Sequence, residues 1–149
     1  MAQTSKFYGQ FPLNAFSKLV NDLEGGGTTI KVALLTSAYT LDQDNHVAYD
    51  DISAYEVVGA GYTAGGKALT TKDLTYAARV TTFDADDTSW AAATIADVWY
   101  AVLYDDTEAA DADKMLIGII CFGEAKSAAA ATFQIIWSES GIFTVTVGA

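Results

Sequence analysis

The sequence predicts an all-β domain, a β-sandwich or jelly-roll-like fold with one N-terminal helix and long loops. Three observations predict it. Period-two alternation sets in after residue 27 and returns in several separate runs, Gly, Asp and Ser clusters punctuate those runs, and helical periodicity occurs once. The 149 residues suit one domain. They divide into an N-terminal arm over residues 1–12 and a single β-sandwich domain over residues 13–149, which opens with the helix at 13–24. No repeat at a fixed period and no interdomain linker interrupts this plan.

The arm is polar, with Phe7, Tyr8 and Phe11 interspersed, and has too little apolar content to fold by itself. Its aromatic rings make Phe7, Tyr8 and Phe11 candidates for contact with a partner, ordering as they fill pockets there. Behind Pro12 and the possible cap Asn14, Leu13, Phe16, Leu19, Val20 and Leu23 recur at helical spacing. Gly25, Gly26 and Gly27 then stop the helix, because consecutive glycines disfavour it and readily adopt left-handed conformations.

Ile30, Val32 and Leu34 alternate with Lys31 and Ala33, a half-buried strand. The segment from Tyr39 to Gly66 loses this periodicity. It carries Asp42, Asp44, Asp50, Asp51 and Glu56 among tyrosines and glycines, and reads as outward-facing loops with Tyr55 and Tyr62 as partner-contact candidates. Weaker strands are expected at Lys67 to Thr70, Leu74 to Tyr76 and Val80 to Phe83. Val98, Tyr100, Val102 and Tyr104 alternate strongly, and Met115 to Phe122 is apolar on both faces, as a strand covered on each side must be. Ala128 to Ala131 reads as a loop or bend. Phe133, Ile135 and Trp137, then Phe143, Val145 and Val147, close the chain as strands. The expected core centres on Val32, Leu34, Val102, Ile117, Ile119, Ile135 and Val145.

Composition excludes several classes of function. Eight basic residues face 19 acidic ones, a formal charge of −11, so a phosphate backbone and an anionic membrane are both repelled. The expected partners include neither nucleic acid nor membrane. A single cysteine permits no internal disulfide and no Cys-based zinc site, and one histidine starves Ser/His and Cys/His chemistry. Cys121 lies in an apolar run and reads as a buried, inert thiol. His46 reads as a loop histidine beside a carboxylate. Met1 to Gln10 has no charged start followed by an apolar run, so folding in a reducing cytoplasm is expected.

Closely spaced carboxylates invite a metal reading. Asp84, Asp86 and Asp87 are the best candidates, yet no run has the spacing of a calcium loop, and Asp-rich turns normally cap their own backbone. No metal and no cofactor is expected. Trp90, Trp99 and Trp137 fall in or beside strand patterns, where aromatic residues pack. Gly59, Gly61, Gly65 and Gly66 precede a strand pattern rather than a helix, which removes a phosphate cradle.

Several stretches together resemble a known family. They are Thr29 to Thr40, Asp44 and His46, Glu56 to Gly66, Asp84 to Trp90, Tyr100 to Asp106, Leu116 to Gly118 and Phe133 to Trp137. The chain from about Ile30 onward resembles small tailed-bacteriophage virion structural proteins of head-decoration and minor tail type. The GYTAGG stretch at residues 61–66 and the loop before Trp90 are its most specific parts. The resemblance implies a non-enzymatic virion structural protein and brings no catalytic residue; a head-decoration or head-accessory subunit is the leading expectation. Its partners are then other virion proteins (major capsid or tail and fibre proteins) and copies of itself, and its location is the virion, after synthesis in the host cytoplasm. Two alternatives stay open: a tail- or fibre-associated module, and a carbohydrate- or receptor-binding sandwich using exposed Tyr and Asp residues.

Overall fold

A computed structural model describes residues 3–148; Met1, Ala2 and Ala149, the ends of the expected arm and domain, lie outside it. The fold is all-β and sandwich-like. Among the described residues, eight strands form two antiparallel sheets. The larger contains β1 (Thr4–Phe7), β7 (Leu116–Ile135), β6 (Thr88–Asp105), β2 (Ile30–Thr36) and β3 (Lys67–Ala68), side by side in that order. The smaller runs β4 (Asp73–Ala77), β5 (Val80–Asp84), β8 (Phe143–Thr146). One α-helix, α1 (Phe11–Phe16), sits near the start.

Both faces of the large sheet are covered, as its continuous apolar runs demand. One face (Val32, Leu34, Ala101, Leu103, Ile117, Ile120) packs toward Phe83 of the small sheet. The other (Ala33, Leu35, Val102, Tyr104, Leu116, Ile119) packs against Tyr8, Tyr39, Tyr49 and Ile52. Ile117 and Ile119 reach opposite faces because the β6–β7 register slips between Leu103 and Tyr104, leaving Ile117 as the extra residue of a bulge.

Strands β6 and β7 are far longer than usual, and bulges fold them. Register shifts cluster between Trp90 and Tyr100, with positive φ at Ala92, Asp97 and Ala130. The bent ribbon turns Trp90, Ala93, Ile95, Phe133 and Ile135 into the core between the sheets. Ala128 to Ala131, expected as a loop or bend, therefore belongs to β7. Ala131 pairs with Ala93 and Ala128 with Ile95, and these partners satisfy the backbone that a loop leaves to water.

The segment expected as a polar arm is built into the fold. Thr4–Phe7 pairs with Cys121–Gly118 as an edge strand, and Tyr8 is only 1% exposed. Backbone pairing replaces the apolar content the arm lacks. The Phe7 ring stacks on Phe11 at 5.1 Å and meets Phe143 edge-on at 5.1 Å, so these aromatics fill a pocket of their own chain.

The helix is shorter than the expected 13–24, and of the residues at helical spacing only Val20 is buried, with Leu23 packed beside it. Phe11 and Asn14 point inward, with Asn14 Nδ2 donating to Met115 Sδ at 3.4 Å, while Leu13, Phe16 and Leu19 point out, Phe16 at 89% exposure. Lys18, at φ 58°, ends it: Lys18 N–H donates to Ala15 O and Leu19 N–H to Asn14 O, the paired closure of a left-handed helix stop. That closure usually seats the residue after the stop on an apolar side chain three places before the helix's final cap. Here that place is Asn14, so Leu19 is left in solvent.

Two further expectations change. The segment 39–66 is not an outward loop cluster: Tyr39, Tyr49, Ile52 and Val57 are buried, and short 3₁₀ turns at Tyr49–Asp51 and Ser53–Tyr55 fold it over the large sheet. Val145 lies outside the core at 47% exposure, because β8 runs on past the layer that covers Phe143.

Candidate interaction surface

Segment 39–66 is pinned from below by one carboxylate. Glu56 accepts hydrogen bonds from the hydroxyls of Tyr49 and Tyr62, and from Gly65 N–H at 3.0 Å. Tyr62 Oη in turn accepts the Leu34 N–H at 3.0 Å. Beyond β3 the chain at Glu56–Val57 bridges to β2, with Val57 N–H donating to Leu34 O at 3.0 Å, and for the Leu34 N–H the tyrosine hydroxyl takes the place of a strand carbonyl. Tyr104 Oη donates to Gly65 O at 2.7 Å and its ring stacks on Tyr49 at 4.7 Å. Two of the glycines here are spatial necessities. A Cβ on Gly66, at φ 70°, falls 2.0 Å from Val32 O, and one on Gly59 falls 2.0 Å from Thr94 O.

A second chain of hydrogen bonds runs from the interior to the surface. Tyr8 Oη lies 2.9 Å from Tyr39 Oη, which lies 2.7 Å from His46 Nδ1. Burial pushes the Tyr39 hydroxyl up to about 12, and burial holds Tyr8, Tyr49, Tyr62 and Tyr104 well above the ordinary tyrosine range. Glu56 adds to the shift at Tyr49 and Tyr62. All five stay protonated at neutral pH; Tyr49 and Tyr62 donate to Glu56 and Tyr104 to Gly65 O.

The candidate residues thus separate. Phe7 is half-buried, Tyr8 and Phe11 are buried, and Tyr62 is committed to Glu56, so none of these four offers a free ring to a partner. Tyr55 does, at 37% exposure, with Val58 exposed three residues on. Asp84, Asp86 and Asp87 do not converge. Asp84 stands opposite Asp73 in the β4–β5 ladder, Asp86 accepts from Thr70 and Thr71, and Asp87 accepts the Trp137 N–H at 2.9 Å. Among the described residues, no three His, Cys, Asp or Glu side chains gather to hold a metal. Trp90 and Trp137 are buried, and Cys121 is half-buried rather than sealed in the core.

The main cleft opens between β1, β7 and residues 138–144, with a volume near 420 Å³. Phe7, Ile117, Ile119 and Phe143 line it, with Ser5, Ser140 and Thr144 among its polar residues; it contains no carboxylate, histidine or cysteine. Lys6 is its one charged lining residue, beside the hydroxyls of Ser5, Ser138, Ser140 and Thr144.

What the surface does present is apolar side chains on firm supports. Leu13, Phe16 and Leu19 project from α1 and its stop, and Tyr76, Val145 and Val147 project from the small sheet. The sequence places Val145 in the core, and the helical spacing of Leu13, Phe16 and Leu19 does not show which way they face. Sequence reasoning missed the Glu56 clamp, whose one trace in the sequence is an acid set between tyrosines in a segment without Lys or Arg. Comparison of the chain with known protein families, with curated proteins and with solved structures finds no match in any of the three.

Proposed function

We propose that this chain is a non-enzymatic structural subunit of a tailed-phage virion, a head-decoration or head-accessory protein that binds neighbouring virion proteins. The observation that carries the reading is the outward apolar face of α1. A six-residue helix tied to the sheet by Phe11 and Asn14 presents Leu13 and Phe16 three residues apart on its free side, with Leu19 behind them. Contiguous exposed apolar side chains mark interaction sites, and large aromatic anchors dominate the energy of such contacts. The resemblance from about Ile30 onward supports the virion class, and the charge of −11 keeps the subunit soluble and away from packaged nucleic acid.

Phe16→Ser is the direct test. Phe16 touches little of its own chain, so the variant folds normally while its copy number on purified particles falls. Normal incorporation removes α1 as the attachment face, and complete absence of the wild-type protein from particles removes the virion reading. Labelling particles with an antibody to the chain distinguishes head from the alternative, a tail- or fibre-associated module. The other alternative, a carbohydrate- or receptor-binding sandwich, rests on exposed side chains such as Tyr55, Tyr76 and Asp50, and glycan-array binding tests it.

A further inference from the structure

We infer that the overhanging half of the small sheet is a self-association surface that docks on segment 50–58 of a second copy of this chain. Cross-strand register defines the rows of this sheet. Leu74, Phe83 and Phe143 form one row, facing the large sheet and packed in the core. Side chains alternate along a strand, so the next row on the same face is Tyr76, Thr81 and Val145. This second row belongs to the inner face of the sandwich, yet Tyr76 is 66% exposed and Val145 is exposed beside it. Val147 continues the face, its N–H donating to Arg79 O. A sheet face normally buries its apolar side against an opposing layer, and here the layer stops one row short.

Charge selects the occupant. Residues 74–83 hold one charged residue, Arg79, the sole arginine of the chain, and residues 141–149 hold no charged side chain. Elsewhere the chain carries 19 acidic residues against seven lysines. Arg79 makes no ion pair with any described residue. It sits at the tip of the β4–β5 hairpin at φ 69°, beside Ala78 at φ 49°, a two-residue turn that favours Asn-Gly. A side chain held at a position that favours glycine points to a use for that side chain.

The complementary surface is on the same molecule. Residues 39–66 carry five carboxylates and no Lys or Arg, and there Tyr55 and Val58 are exposed with Asp50 exposed nearby in sequence. Apolar row meets apolar pair, and Arg79 meets Asp50. Because the two surfaces differ, the contact is head-to-tail, and repeated copies form a ring where the rotation closes.

Sedimentation of the full chain over rising concentration, at low and high salt, tests this. The wild type is expected to associate below about 1 mM, more tightly at low salt. Tyr76→Ser with Val145→Thr, both exposed positions, is expected to weaken association at least about tenfold, as is Arg79→Glu. Asp50→Lys placed in the Arg79→Glu variant is expected to restore it. A wild type that stays monomeric, or association unchanged by Tyr76→Ser with Val145→Thr, overturns the inference, and failure of the charge exchange overturns the assignment of Asp50. The inference stands apart from the virion reading: a monomeric chain that still joins particles removes this inference alone.

Discussion

Replacing Tyr62 by Phe removes one oxygen that serves two partners. Its proton goes to the Glu56 carboxylate, and its lone pair takes the N–H of Leu34, a fully buried residue, at 3.0 Å. A hydrogen bond to a charged group contributes about 1.5–3 kcal/mol, and a buried N–H left without a partner costs about 1–3 kcal/mol. The expected loss is therefore about 2.5–6 kcal/mol, with ring packing against Trp90 retained. Tyr49→Phe is the internal control. It removes only a donor to Glu56, so its cost stays near 1.5–3 kcal/mol. Urea unfolding followed by tryptophan fluorescence gives both numbers, and amide exchange at Leu34 separates them, accelerating in Tyr62→Phe and not in Tyr49→Phe. If Tyr62→Phe costs no more than Tyr49→Phe, the hydroxyl is not the surrogate strand partner that the geometry makes it.

Alkali should unfold the chain cooperatively. Six tyrosines, Tyr100 among them, have hydroxyls raised above the unfolded value, so the stability they confer is complete below about pH 10 and drains away as pH rises toward their folded values, by roughly 1.4 kcal/mol per unit for each of the five most buried. Absorbance at 295 nm should then rise together with loss of circular dichroism; tyrosines ionising near pH 10 in an intact fold contradict this. Removing residues 2–11 should destabilise the domain by roughly 3–6 kcal/mol from Tyr8 and Phe11 alone, and a melting curve left unchanged contradicts the placement of β1. Lys18→Gly should raise stability by about 1 kcal/mol in the same denaturation assay, since glycine adopts φ 58° without a Cβ penalty.

Alternation located β2, β6 and the first part of β7 because these strands pack on both sides, where every residue answers to burial. Alternation names a face without saying how far the opposite layer extends, which is why Val145 is patterned like core and lies beyond it. The helix misleads for a related reason. Leu13, Phe16 and Leu19 have the right period, but Phe11 and Asn14 are the residues tied to Phe143 and Met115, and they fix the rotation of the helix. β1, with Thr4, Ser5 and Lys6 before its one apolar residue Phe7, has no alternation to mark it as a strand. Its place comes from the open edge of β7, a property of residues more than a hundred positions away. Glu56 looks like any loop acid until Tyr49, Tyr62 and Gly65 surround it. Segment 39–66 lacks period because it covers a sheet with tyrosine rings and 3₁₀ turns rather than with a strand.

That distant partnership of β1 has a consequence for how the chain is made. Thr4 waits for Cys121, so the strand made before the other described strands is among the last to find its place. Closing so long a loop is slow, and contacts of high sequence separation delay folding. Until it closes, the backbone of Gly118–Cys121 is an open edge on an apolar strand, the kind of template on which nascent chains aggregate. Lys6, in the middle of β1, leaves the finished edge with a charge where the unfinished one had none. Four polar-leaning residues thus act as the stopper of the large sheet, and a fusion partner that hinders Thr4–Phe7 from docking should lower soluble yield in a way that the same partner at the other end does not.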